Sequence, residues 1–248
     1  MSKRIWITRA KDEQENAKKI VKKYGFEPIS IPLIEFSSIS YKVPKENYEG
    51  IVFSSKTGVR FFFKDKALVE KLKNAKLIFS VGKETKKLLE NYLEKENIKI
   101  DIAPLPKKFK GEDLAQVILE KNIKTLLLPG PKERRNILFE ILKKHNIRFC
   151  RLDIYETKIK KLSEEEKEKV LNCQAVTLTS PSTFKGILKN NLLNPLLKKN
   201  TMFLVIGDVT ENFVKNYVPQ NLILKPEIFT FEEMIKTYKS FLAKSVNF

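Results

Sequence analysis

The sequence is poor in the side chains from which most catalytic centres are built. It has a single histidine, His145, and two cysteines, Cys150 and Cys173, which are far apart and in no CxxC pair. Neither a zinc cluster nor a histidine-based triad can be assembled from so few groups. No GxGxxG follows a strand pattern and no GxxxxGK occurs, so neither a dinucleotide cofactor nor a P-loop is supported. No apolar run approaches the roughly 18 residues that a membrane span needs. The opening MSKRIWITRAKDEQ turns charged too soon for an export signal. These absences predict a reduced, cytoplasmic, metal-free protein with no membrane span.

Arginine is sparse as well. The formal net charge is +18, yet only seven of the 48 basic residues are arginine, which leaves 41 lysines. Readers of nucleic acid lean on the bidentate arginine fork, and here the lysines are spread along nearly every helical pattern. The charge is therefore read as a lysine-rich solvated surface, compatible with an electropositive cleft for a small polyanion, in preference to nucleic-acid binding. At 42% apolar and 31% charged over 248 residues, the composition is that of a globular protein with room for two domains.

What the chain does contain is a repeat. Shifted by 125 residues, IVFSSKTGVR lies on VTLTSPSTFK, and LIFSVGKETKKLLENY (77–92) lies on MFLVIGDVTENFVKNY (202–217) without a gap. FKGEDL (109–114) resembles FTFEEM (229–234) at a shift of 120. At a shift of 121 the segment 9–36 lies on 130–157, with Glu35 on Glu156 and Ile34 on Tyr155. The order is a, b, a′, b′, which signals two copies of one domain rather than a solenoid.

Each copy alternates short apolar strands with helical patterns: RIWIT, 12–23, PISI; then GIVFS, 57–73, LIFSV, 84–94. Strands that are apolar throughout belong to a parallel sheet covered on both faces. The fold class is α/β, with two flavodoxin-like, doubly wound domains. Such sheets bind ligands at the carboxyl ends of their strands. Ser55 and Ser180 read as helix N-caps, Ser180 with Pro181 at the first helical position. Asp208 with Glu211 reads as a capping box. Four such turns, at 54–58, 82–85, 179–183 and 207–210, would line one cleft with hydroxyls and N–H groups if the domains face each other. Carboxylates or phosphates suit such a surface. Taken singly, each hydroxyl is explained by capping alone.

The repeat permits two halves in sequence. It equally permits a crossed arrangement, with a discontinuous domain of 1–34 plus 158–248, an inserted domain of 37–153, and linkers at 35–36 and 154–157.

Taken in order, TRA after the first strand, PLIEF, the VFSS…GV turn, SVGKET, LLLPGPKERRNIL, DIYET, the TSPST turn and IGDVTE resemble uroporphyrinogen-III synthase. The likeness runs from Arg4 to about Ala243, and it is the order and spacing of short motifs that make it specific. The resemblance implies the crossed arrangement, a two-stranded linker, and an active site between the domains. It implies a cyclising hydro-lyase of porphyrin (tetrapyrrole, heme) biosynthesis. Hydroxymethylbilane, a linear tetrapyrrole with eight carboxylates, is dehydrated and closed to uroporphyrinogen III with its last ring inverted, and no cofactor takes part. A monomer is expected, with transient contact to the preceding pathway enzyme.

The resemblance also assigns residues. Tyr155 of DIYET matches the family tyrosine that protonates the leaving hydroxyl; packing at a strand end is its structural alternative. Thr85 and Thr210 match threonines of the two G-x-x-T turns and, with Ser54, Ser55, Ser180 and Ser182, are candidate carboxylate ligands. Arg9, Arg134 and Arg135 are candidates for side-chain carboxylates. Lys56 stands where the family commonly has proline and could add positive charge. GDVT departs from a GPTT-like form, and Asp208 puts negative charge beside Thr210. His145 reads as structural, and no function is read into Phe61–Phe63. The alternative to an enzyme is a non-enzymatic, two-domain polyanion-binding module.

Overall fold

A computed structural model describes residues 2–106, 111–134 and 136–245. The first segment gives β1 (Arg4–Ile7), α1 (Gln14–Lys23), β2 (Glu27–Ser30) and β3 (Ile34–Ser38). The middle gives β4 (Gly50–Phe53), α2 (Lys56–Phe62), α3 (Lys66–Val69), β5 (Leu77–Ser80), α4 (Lys83–Lys95) and β6 (Asp101–Ile102). It continues with α5 (Gly111–Glu120), β7 (Thr125–Pro131), α6 (Ile137–Lys144) and β8 (Arg148–Ile159). The last segment gives α7 (Glu164–Leu171), β9 (Ala175–Leu178), α8 (Pro181–Lys189), α9 (Leu193–Lys198), β10 (Met202–Val205), α10 (Asp208–Val214), β11 (Ile223–Leu224) and α11 (Phe231–Ser245).

The chain divides into two compact units, residues 1–36 with 158–248, and residues 37–157. It passes between them inside β3 and β8, which are neighbours in one sheet. In the first unit the described strands run β11-β10-β9-β1-β2, all pairs parallel. In the second the order is β3-β8-β7-β4-β5-β6, parallel from β8 to β6. Under the repeat, β1 and β2 correspond to β7 and β8, and β9, β10 and β11 to β4, β5 and β6. Both sheets therefore have one topology, the flavodoxin-like order, entered at different strands. The fold is α/β with parallel sheets.

Burial explains the strands. β4, β9 and β10 are buried along their whole length, as a sheet covered on both faces requires. Trp6 is fully buried and donates its indole N–H to the Ile31 carbonyl at 2.7 Å. Thr8 and Thr177 are buried too: Thr8 Oγ1 donates to the Thr177 carbonyl at 2.5 Å, and Thr177 Oγ1 donates to the Trp6 carbonyl at 3.1 Å. Gly186 of α8 lets the helix approach closely, since a Cβ there would lie 2.8 Å from the Leu33 Cβ.

Helix ends follow the residue types. Asn97, Asn122, Asn146, Asn191 and Asn200 hold φ between 52° and 57° just past a helix. That left-handed cap is where glycine is usual and asparagine is the common substitute. Gly25 ends α1 with φ 87°, and its repeat counterpart Asn146 ends α6. One expectation fails. The pattern at 57–73 is two helices and a 3-10 turn, because Asp65 caps a new helix by accepting from the Ala67 N–H at 2.9 Å.

Candidate functional site

In the second unit, β4 leads on to β5 and β6 on one side while β7 and β8 lie on the other. The strand order reverses between β4 and β7, and the crevice outside the carboxyl ends of such a pair is where open α/β sheets take ligands. β4 ends at Phe53 and is followed by Ser54, which is exposed, and Ser55, which is half-buried. Ser55 caps α2, accepting from the Gly58 N–H at 3.0 Å. Lys56 follows as the first helical residue, half-buried.

Tyr155 on β8 closes this end. Its hydroxyl lies 3.2 Å from Ser55 Oγ, and only 4% of the residue is exposed. Burial pushes the phenol above its ordinary pKa, while the Ser55 hydrogen bond and the charge of Arg134 draw it down. The group is thus a neutral phenol at physiological pH. Its ring stacks on Phe61 of α2, to which sequence reading gave no role. The signal was in the repeat, where Phe61 meets Gly186 and Tyr155 meets Ile34.

Thr85 is buried as the third residue of α4, whose N-cap is Gly82. Thr210 is its counterpart in the first unit, buried as the third residue of α10 behind Gly207. The expected capping box at Asp208 and Glu211 is not formed. The cap is Gly207, without a side-chain bond, and both carboxylates turn to Lys225, at 2.6 and 2.7 Å. Lys225 offsets the negative charge beside Thr210 and, with Lys215 at 3.0 Å, holds the Glu211 carboxyl below its usual pKa.

Also in the first unit, the order reverses between β1 and β9. Arg9 follows β1, ion-paired to Glu13 at 3.1 Å with its guanidinium 5.4 Å from the Phe231 ring centre. Ser180 follows β9 and caps α8 behind Pro181. The Thr183 N–H donates to Ser180 Oγ at 3.4 Å, and the Ser180 N–H donates back to Thr183 Oγ1. Ser182 is half-buried in the first turn.

Arg134 bonds within its own unit. Its guanidinium turns inward and donates to the Pro131, Leu128 and Leu152 carbonyls and to Asp153 Oδ1, at 2.6 to 3.0 Å. Arg135 lies outside the described residues. Among the described residues there is no group of three or more His, Cys, Asp or Glu that could hold a metal ion. No described helix is long and apolar enough to cross a membrane.

Residues 15–236 match the family described as "Uroporphyrinogen-III synthase HemD". A protein of Methanocaldococcus jannaschii named "Putative uroporphyrinogen-III synthase" is 26% identical over 253 residues, covering 96% of this chain and 98% of its own. Among solved structures, the uroporphyrinogen-III synthetase of Helicobacter pylori is similar with a TM-score of 0.66 at 19% identity, over 99% of this chain and 100% of its own. A mutant uroporphyrinogen III synthase of Thermus thermophilus gives 0.55 at 16% identity, over 98% and 100%. At such identities the two structures speak to the fold.

Proposed function

The chain belongs to the uroporphyrinogen-III synthase family, and from that premise we propose that it is a cyclising hydro-lyase that converts hydroxymethylbilane to uroporphyrinogen III with ring D inverted. The observation that carries this reading beyond the family is the pair of hydroxyls, Tyr155 and Ser55, 3.2 Å apart at the point where the strand order reverses.

The chemistry needs a proton and a pose. The bond from the terminal methylene carbon to its hydroxyl breaks as the pyrrole nitrogen pushes electrons in, which leaves an azafulvene. The departing oxygen takes the proton of Tyr155 and leaves as water. Ser55 and the charge of Arg134 stabilise the phenolate left behind. Ring D then attacks through its substituted carbon to give a spiro intermediate. Its old bond to the neighbouring methylene breaks, and the ring recloses through its free carbon. The proton lost there as aromaticity returns restores the phenol, so the net loss is one water.

A phenol of raised pKa is a weak acid, so its contribution sits toward the low end of the roughly 10²–10⁴-fold range of general-acid catalysis. Orientation is the larger task, because the free bilane closes readily without inversion. A near-attack pose contributes up to about 7–11 kcal/mol in ideal cases. Ser54, Ser55, Lys56 and Thr85 in one unit, and Arg9, Ser180, Ser182 and Thr210 in the other, are our candidates for holding the eight carboxylates. Arg135 stays in that set, while Arg134 leaves it. With 13 and 9 residues, α4 and α8 are the longer helices at these turns, which favours their first N–H groups as donors to the anions.

The test is to add the protein to freshly made hydroxymethylbilane and separate the uroporphyrinogen isomers. Isomer III formed faster than spontaneous closure supports an enzyme. Isomer I alone at the uncatalysed rate leaves only a polyanion-binding module.

A further inference from the structure

The strand that carries the phenol is irregular at the phenol itself. β7 and β8 pair in step from Thr125 with Arg148 to Gly130 with Asp153, but the next pair is Pro131 with Tyr155. Ile154 is the extra residue, so β8 bulges there, and a bulge re-aims the side chains that follow it. Burial shows the effect. Neighbours in a regular strand alternate between faces, yet Leu152, Ile154 and Tyr155 are all buried. A one-residue shift of phase is what moves a side chain from one face of a sheet to the other.

Arg134 spans this break. On β7 its Nη1 donates to the Leu128 carbonyl and its Nε to the Pro131 carbonyl, both at 2.8 Å. On β8 its Nη2 donates to the Leu152 carbonyl at 3.0 Å and to Asp153 Oδ1 at 2.6 Å. All four acceptors flank the shift of register. The Lys132 N–H donates to the Tyr155 carbonyl at 2.8 Å and closes the frame. Arg151 braces the same carboxylate, with its Nε 3.0 Å from Asp153 Oδ1, and also bonds the Lys132 carbonyl. Gly130 makes room, since a Cβ there would lie 3.0 Å from Arg134 Nη1.

We infer that Arg134 is a positioning residue: it staples the β7–β8 bulge and so aims the Tyr155 hydroxyl at Ser55. This rests on the proton-donor role proposed for Tyr155. A guanidinium has five N–H groups in a planar fork. Four bonds to protein acceptors leave little of that fork for a substrate carboxylate. Lysine keeps the charge but lacks the fork.

The experiment uses the full chain as wild type, Arg134→Lys and Arg134→Gln, with freshly made hydroxymethylbilane. It reads kcat, KM, the isomer ratio and the alkaline limb of kcat, with circular dichroism to confirm folding. In both variants kcat falls by about 100-fold, the scale of a reacting group misplaced by about 1 Å. KM changes by less than about threefold, because transition-state and not uniform binding is lost. The alkaline limb stays in place for the lysine variant and moves to higher pH for the glutamine variant, which removes a charge that draws the phenol down. A raised KM with kcat preserved would make Arg134 a substrate ligand and overturn the inference. So would a folded lysine variant as fast as wild type, and the lysine variant decides if the glutamine variant does not fold. Should the wild type itself give no isomer III, the reading of function fails instead.

Discussion

Phe61 lies stacked on Tyr155, with ring centroids 5.0 Å apart and planes 16° from parallel. Their repeat counterparts, Gly186 and Ile34, carry no ring, and Gly186 instead gives α8 its close approach to Leu33. The same two positions of a duplicated fold thus serve packing in one unit and hold a phenol in the other. Offset aromatic pairs contribute about 0.5–1.5 kcal/mol beyond the area they bury, enough to fix one rotamer of the tyrosine.

Tyr155→Phe keeps that stack and loses only the hydroxyl. The expected outcome is a fall in kcat of about 100-fold, the low end of the general-acid range, with KM and the thermal midpoint close to wild type. Steady-state kinetics with hydroxymethylbilane check it, and unchanged kcat removes the phenol as proton donor.

Ser55 does two jobs, and two substitutions separate them. Ser55→Ala removes the cap from the Gly58 N–H and the partner of Tyr155. It should cost about 1 kcal/mol of stability, whereas Ser55→Gly should cost only a few tenths. Both should lower kcat alike, because neither carries a hydroxyl. Thermal melts beside kinetics read the difference. An active glycine variant would reduce Ser55 to a cap.

Stability should fall on the alkaline side. Burial pushes Tyr238 up to about 12 and the Cys173 thiol up to about 12, and moves Tyr155 the same way. In the unfolded chain these groups lose their protons near their ordinary values, about 8.5 for a thiol and about 10 for a phenol. Their contribution to stability is therefore whole below those values and is lost as pH rises through the folded pKa. Melting temperature should decline from about pH 8.5–9 toward pH 12, less steeply in Tyr238→Phe. A flat profile over that window contradicts the assignment. Cys173 should react with thiol reagents only after unfolding.

How much of this was legible in the residues differs from element to element. The parallel sheets were, because β4, β9 and β10 are apolar at nearly every position and only burial on both faces accommodates that. So were the caps at Ser55 and Ser180, where hydroxyl, backbone and the following turn agree. The break after Phe62 was missed because the Asp65 cap sits within a continuous run of helix-compatible residues. Asp208 and Glu211 have capping-box spacing, yet Lys225 reaches both from beyond the end of α10, a tertiary pairing that local spacing does not encode. The bulge at Ile154 and the inward turn of Arg134 depend on the register between two strands. Register is a property of the pair, so DIYET alone shows a tyrosine without showing its aim.

One titration tests the account most directly. A fixed pulse of fresh hydroxymethylbilane is given rising amounts of the protein, and the share of uroporphyrinogen III among the closed products is measured. That share should climb from near zero toward completeness as enzymic closure outruns the spontaneous reaction, and the climb should need about 100-fold more protein when Tyr155 is phenylalanine. A product that remains isomer I at every protein concentration would contradict the account.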